Sequence, residues 1–382
     1  MSGERVLVTG GDEIAVLGAL RGLRLAGYEP WAAVEGQRSY AARSRAVSGT
    51  IVVPSVERNP DTFGDKVILE ANRLSVAAVV VGTEAGLLAL AGRQGGFPPG
   101  IAFGVPAVDI VRRATDKNRF LAIAEAAGLC PPPTTHVRLR DIKPGADRFP
   151  SPAVVKPLRS DSSVHRELRH TAPVLADGPD DLRAAVAAMP NCEALVQPYL
   201  PGEIYGVCGV ASDGKVVCSL HQIGRRIWPA DCGMVTYAET VPRDTSLDER
   251  VAHLVRELRW RGIFQLQLLR REERLYAIDF NPRPYISLAL ATAAGMNLTA
   301  IWVELLLGRK PTSSRYREGV RWRSDPDDPR ALLRALVSGE RTAALRGFLP
   351  RRRTTHAVFS WRDPAPLLGT IERLAQRVMR GG

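Results

Sequence analysis

The sequence has 382 residues, with 52 Lys+Arg against 40 Asp+Glu and a formal charge of +12. Its 45% hydrophobic and 24% charged content excludes wholesale disorder, and at roughly 150 residues per domain the length predicts two or three domains with ample core. No uncharged apolar run of 18 residues occurs; the nearest, 286–307, is interrupted by Gly295, Asn297 and Glu304, so it predicts a buried helix and no membrane span.

The first hundred residues alternate strand and helix. Residues 5–9 form a short apolar run ending in Thr9-Gly10-Gly11. Residues 14–26 carry Ile14, Leu17, Leu20 and Leu23 at helical spacing before Gly27. Residues 30–34 and 50–53 predict further strands, 62–74 a helix, and 77–81 a fourth strand closing at Gly82-Thr83-Glu84. This alternation predicts a parallel sheet with helices on its faces and places Gly10, Gly11, Thr83 and Glu84 on the rim where ligands gather. Thr9-Gly10-Gly11 is not a G-x-G-x-x-G, so a dinucleotide site is not expected.

A second unit begins near Ala114. Asp116-Lys117-Asn118 precedes a helix at 119–127 that stops at Gly128, and Pro131-Pro132-Pro133 blocks continuation. Residues 153–157 form a strand ending on Lys156, 180–189 a helix, and 194–197 a strand running into Pro198-Tyr199-Leu200-Pro201-Gly202-Glu203. A third unit is mostly β. Strands at 204–211 and 216–222 flank the hairpin signal Ser212-Asp213-Gly214-Lys215, a helix covers 247–258, and strands at 262–269 and 275–280 precede the apolar stretch 286–307. Past the break at Asp325-Pro326-Asp327-Asp328-Pro329, helical patterns occupy 331–337 and 367–378.

Of the 52 basic residues only six are lysine, so a lysine here is more informative than an arginine. Lys156 ends a buried strand and puts one compact positive charge at a sheet rim, as phosphate binding requires; taken alone, a lysine there is more often a solvated strand end. Lys117 opens a helix. Residues 197–203 leave a strand extended, so that the carbonyl of Gln197 and the N–H of Leu200 can meet a purine edge and Glu203 a ribose hydroxyl. The bland reading of that stretch is an interdomain turn. On the last strand pair, period-two alternation makes Gln265 and Gln267 face one way, and Asp279 and Asn281 likewise share a face. Pairing the strands brings Gln267, Asp279 and Asn281 together as oxygen donors suited to magnesium, with Arg283 two residues beyond.

In Asp116-Lys117, the proline turn after Gly128, Val155-Lys156-Pro157, residues 196–203 and Asp279-Phe280-Asn281-Pro282-Arg283, the sequence resembles the ATP-grasp superfamily over roughly residues 1–308. The amide Gln267 beside Asp279 and Asn281 is most similar to the synthetase domains of carbamoyl-phosphate synthetase. Residues 225–239 are more like the carboxylate–amine ligase branch. The resemblance implies an α/β ATP-grasp fold with an N-terminal parallel-sheet α/β domain (1–112), a small subdomain (113–196), a large subdomain with the metal site (197–308) and a basic C-terminal cap (309–382). It implies that ATP lies between the second and third units. Lys117 and Lys156 would contact phosphates, Gln197 and Leu200 adenine, and Glu203 ribose. Gln267, Asp279 and Asn281 would hold Mg2+ (or Mn2+), and Arg283, with Lys156, would stabilise the γ-phosphoryl in flight. The implied reaction activates a carboxylate as an acyl phosphate and joins it to an amine, the substrate being an amino acid or amino-sugar derivative. A bicarbonate-dependent carboxylation or carbamoyl-phosphate-type reaction, and a non-catalytic nucleotide-binding protein, are the alternatives. The loop after Lys156, residues 158–165, departs from the family in carrying no glycine, with Ser160, Ser162 and Ser163 in its place.

Substrate contacts are sparsely marked: Glu84 for an amine, Arg225 and Arg226 for a carboxylate. His165 and His170, five apart in a loop, do not suggest a metal site. From residue 309 onward there are 17 basic and 7 acidic residues, so nearly all the excess charge lies in the last fifth. Arg351-Arg352-Arg353 with Trp322 and Trp361 would suit nucleic acid, but interspersed acids favour a solvated cap. The sequence starts in a strand-like run without a signal-peptide pattern, and its five scattered cysteines form no C-x-x-C; a cytoplasmic setting is expected, with small-molecule partners and a homodimer left open.

Overall fold

The computed structural model describes residues 3–142, 149–158, 173–311, 315–339 and 353–379. The chain begins with β1 (Arg5–Val8), α1 (Ile14–Leu25), β2 (Glu29–Val34), β3 (Gly49–Val52), α2 (Pro60–Arg73), β4 (Ala78–Val80), α3 (Glu84–Leu90), β5 (Ala102–Phe103) and α4 (Val108–Thr115). The five strands form a parallel sheet in the order β3-β2-β1-β4-β5. Val6, Leu7 and Val8 are wholly buried, because helices cover both faces of the sheet. At its carboxyl rim, a side chain at Gly82 would run into the Thr9 carbonyl at 2.3 Å, and Gly10 has φ +78°. These glycines thus let two strand-end loops pack against each other. Thr83 caps α3 by accepting from the Gly86 N–H at 3.1 Å.

Next come α5 (Lys117–Ala126), β6 (Thr135–Arg138), β7 (Ala153–Lys156), β8 (Val174–Ala176), α6 (Pro179–Ala187) and β9 (Glu193–Pro198). Their four strands make an antiparallel sheet ordered β6-β9-β7-β8, with α6 packed on it through Leu182, Ala185 and Val186. Helix α5 turns elsewhere. Its Phe120, Leu121 and Ala124 join the core that lies against the following sheet, alongside Trp260 and Phe280.

That sheet is built from β10 (Glu203–Ser212), β11 (Lys215–Trp228), β12 (Met234–Val241), β13 (Gly262–Arg271) and β14 (Arg274–Asn281), with α7 (Thr245–Leu258) between β12 and β13. The apolar stretch 286–307 is two helices, α8 (Leu288–Ala293) and α9 (Leu298–Leu306), and not the single helix its hydrophobicity predicts. Gly295 at φ +101° ends the first, and the Asn297 side chain caps the second through the Ala300 N–H.

The basic C-terminal segment is integral to this sheet. After α9 come β15 (Arg321–Arg323), α10 (Asp328–Val337), β16 (Thr354–His356) and α11 (Ala365–Met379), and the seven strands run β14-β13-β10-β11-β12-β15-β16. Trp322, Ala357 and Val358 share a buried cluster with Leu17 of α1 and Leu290 of α8. Trp322 is fully buried, so it is unavailable for stacking on a base; Trp361 is 88% exposed, and Arg351 and Arg352 lie outside the described residues. Asp363 ties the segment back to the start of the chain, accepting from Arg21 at 2.9 Å and Ser44 at 2.6 Å. Among the described residues, no helix is long and apolar enough to cross a membrane. All five cysteines are unpaired.

Candidate active site

The β13–β14 hairpin sets the geometry. Phe280 faces the core, stacked 5.8 Å from Phe264 and 6.0 Å from Phe120, with Trp260 edge-on at 6.2 Å. With Phe280 anchored inward, its neighbours Asp279 and Asn281 turn to the opposite face. The register places Asp279 opposite Gln267 and Asn281 opposite Gln265, and a bulge follows between Gln267 and Leu268. Gln267 and Asp279 are therefore neighbours, as the alternation predicts. Asn281 has a partner the sequence reading left out: its Nδ2 donates to Gln265 Oε1 at 3.2 Å. The signal was present, since Gln265 shares the face of Gln267.

Two lysines from separate elements converge on this hairpin. Lys117 is the first residue of α5, whose N-cap Asp116 accepts from the Arg119 N–H at 3.1 Å. Because α5 packs on the core beneath β14, the Lys117 Nζ lies 3.5 Å from Asp279 Oδ1. Its N–H donates to the Leu158 carbonyl at 3.2 Å, which joins α5 to the segment just after β7. Lys156, the last residue of β7, is buried. Burial lowers its ammonium pKa to about 8; Asp279 nearby opposes this fall and Lys117 adds to it. Two buried lysines thus lie near one carboxylate.

Arg283 follows β14 and bridges to the first sheet. Its Nε donates to Glu84 Oε1 at 3.3 Å, its Nη2 to Asn281 Oδ1 at 3.3 Å and its Nη1 to the Pro284 carbonyl at 3.1 Å. Glu84 is buried in the first turn of α3, where the positive end of the helix favours a carboxylate. A narrow cavity beside Arg283, between the end of β4 and the start of β13, is lined by Val81, Leu87, Val105, Ile263 and Trp302.

Gln197 is buried on β9, its Nε2 donating to Thr134 Oγ1 at 2.9 Å, and Leu200 is half-buried in the link between β9 and β10. Glu203 opens β10 at the surface, where its carboxylate accepts from Arg270 at 2.6 Å and Arg225 at 3.4 Å. Arg225 also reaches Glu239 at 3.4 Å. Arg226 is engaged differently from the carboxylate-binding role its sequence suggests. Its fork grips the buried carboxylate of Asp328 at 2.7 and 2.9 Å, and its guanidinium lies 4.1 Å over the Tyr237 ring. The chain's own carboxylate occupies it. The glycine-free loop from residue 159 on, with His165 and His170, lies outside the described residues.

The donor set fits magnesium: one carboxylate with amide oxygens beside it is a hard, oxygen-only array of the kind that shares a metal with phosphates. Among the described residues no three His, Cys, Asp or Glu side chains cluster as metal ligands.

Residues 191–325 match the family model described as ATP-grasp in the biosynthetic pathway with Ter operon. The large chain of carbamoyl phosphate synthase from Thermotoga petrophila is 26% identical over 212 residues, which cover 51% of this chain and 18% of that relative's length. Among solved structures, an L-amino acid ligase from Bacillus licheniformis superposes with a TM-score of 0.63 at 15% identity, over 84% of this chain and 79% of that one. The biotin carboxylase domain of 2-oxoglutarate carboxylase from Hydrogenobacter thermophilus, solved with MgADP, ADP and bicarbonate, gives 0.62 at 16% identity, over 84% and 74%. Family model, curated relatives and shared fold agree with the motifs along the chain: it has the ATP-grasp fold, and its residues 191–325 match an ATP-grasp family.

Proposed function

We propose that the chain is an ATP- and Mg2+-dependent ligase that activates a carboxylate as an acyl phosphate and joins it to an amine, releasing ADP and phosphate. The observation that carries this reading is the convergence of Lys117, Lys156 and Asp279 from α5, β7 and β14. ATP would lie between the 113–196 and 197–308 units, its phosphates against the two lysines and its base along residues 197–200. Asp279, with the amide oxygens of Gln267 and Asn281, would hold magnesium or manganese, whose chemistry there is to neutralise phosphate oxygens. Arg283 would meet the transferring phosphoryl group. A carboxylate is a poor electrophile, and converting one oxygen to phosphate supplies the leaving group that the amine displaces. Such transfer asks the protein chiefly for positioning and preorganised positive charge.

For the substrates, the likeness to an L-amino acid ligase supports an amino acid or a related amine-bearing acid. Arg225 and Glu84 remain the side chains with matching charge, whereas Arg226 holds the C-terminal segment. A panel of amino acids, amino sugars and small acids tests the reading by ADP and phosphate release, alongside Lys156→Ala and Asp279→Ala. Turnover raised by an acid–amine pair and lost in both variants supports it. Stimulation by bicarbonate alone redirects it to carboxylation, in keeping with the bicarbonate-bound neighbour. Nucleotide binding without turnover by any pair overturns the ligase reading.

A further inference from the structure

We propose that Gln265 is a positioning residue that fixes the amide of Asn281, keeping its oxygen at the metal-binding edge and its nitrogen turned into the sheet. This rests on the reading of Asn281 as a magnesium ligand. An asparagine amide has two ends of similar shape, and only the oxygen binds a hard cation. Turning the group by half a revolution would present an NH2 instead, so a site that uses an asparagine must decide its orientation.

Two contacts decide it here. Asn281 Nδ2 donates to Gln265 Oε1 at 3.2 Å, and Asn281 Oδ1 accepts from Arg283 Nη2 at 3.3 Å. In the turned orientation the oxygen would face the Gln265 oxygen and the NH2 would face the guanidinium donor, so both contacts would be lost together. The two residues are direct cross-strand partners and both are buried, with Asn281 8% and Gln265 4% exposed. Gln265 is fixed in turn by neutral surroundings. It pairs across the sheet with Cys208, whose buried thiol is pushed up to about 12 and so stays uncharged. Gln265 therefore sits behind the ligand and Gln267 beside it, which separates the roles of two glutamines on one strand face.

The test is an ADP titration of the full chain with and without Mg2+, the readout being the ratio of the two affinities. Gln265→Met removes the acceptor at nearly constant length, and Gln265→Glu restores one. Loss of an outer partner of a metal ligand typically costs about 10–100-fold in metal affinity, so Gln265→Met should lower the ratio by that factor and Gln265→Glu should recover most of it. In an Asn281→Asp background either carboxylate oxygen can bind metal, so adding Gln265→Met should cost about threefold or less. A wild-type ratio in Gln265→Met, or an equal loss in both backgrounds, overturns the inference while leaving the metal-site reading standing. If wild-type ADP binding is itself indifferent to Mg2+, the metal-site reading falls and this inference with it.

Discussion

Arg283 and Glu84, 199 positions apart, meet at 3.3 Å and join the loop after β14 to the first turn of α3. Arg283, which we propose meets the phosphoryl group, is thus held from a helix of the N-terminal unit. Glu84→Ala should leave Arg283, 27% exposed on its side chain, without its carboxylate. Because Arg283 keeps water and the Asn281 and Pro284 contacts, the expected loss is about 1–3 kcal/mol, below that of a fully buried pair. Chemical denaturation measures it. Glu84→Gln, which retains an acceptor, should lose less.

Asp328 is the hub of the C-terminal segment. It is fully buried and accepts from Arg226, Arg323 (2.7 Å) and Thr236 (3.2 Å). Asp328→Ala removes the buried carboxylate shared by two mostly buried guanidinium groups and should destabilise by about 3–5 kcal/mol. Limited proteolysis should then cut the segment beyond residue 308 earlier than in wild type; unchanged cleavage and an unchanged denaturation midpoint would contradict that role.

Asp325 links β15 to β16 by accepting from His356 Nδ1 at 2.6 Å and from the Val358 N–H at 2.7 Å. Burial raises its carboxyl pKa, but these bonds outweigh it and the net shift is downward. A depressed carboxyl contributes stability above its unfolded pKa, roughly 3.9, and loses that contribution as pH falls through the lower folded value. Thermal melts should therefore fall more steeply below about pH 4 in wild type than in Asp325→Asn, which has no proton to gain there.

The two tryptophans of the basic segment separate packing from surface. Trp322→Ala opens a cavity in the shared cluster and should cost about 3–5 kcal/mol, whereas Trp361→Ala should stay within about 0.5 kcal/mol.

Much of this was legible because it is local. The apolar runs behind β1, β4, β7, β13 and β14 and the stop at Gly128 mark elements without reference to the rest of the chain. β6, β8, β15 and β16 were not legible, since three or four residues such as Arg321–Arg323 or Thr354–His356 carry too little apolar periodicity. β12 was missed because Thr236, Glu239 and Thr240 interrupt its apolar pattern. The break at Gly295 was visible but outweighed by the hydrophobicity around it. For the site, period two grouped Asp279, Asn281 and the two glutamines, yet could not say which glutamine stands opposite which residue, because a bulge sets the register. The meeting of Lys117 with Asp279 depends on where α5 packs, and the use of Arg226 on a carboxylate from β15's far side; neither leaves a local trace.

The central claim is that Lys117, Lys156 and the Asp279 edge bind the phosphates of a magnesium nucleotide, and calorimetric titration of ADP in Mg2+ tests it most directly. Truncating one buried charge at such a contact costs about 2–5 kcal/mol, and each 1.4 kcal/mol is tenfold, so Lys156→Ala should bind about thirtyfold more weakly or worse. Asp279→Ala should lose the strengthening by Mg2+. Wild-type affinity for MgADP in a correctly folded Lys156→Ala would contradict the account.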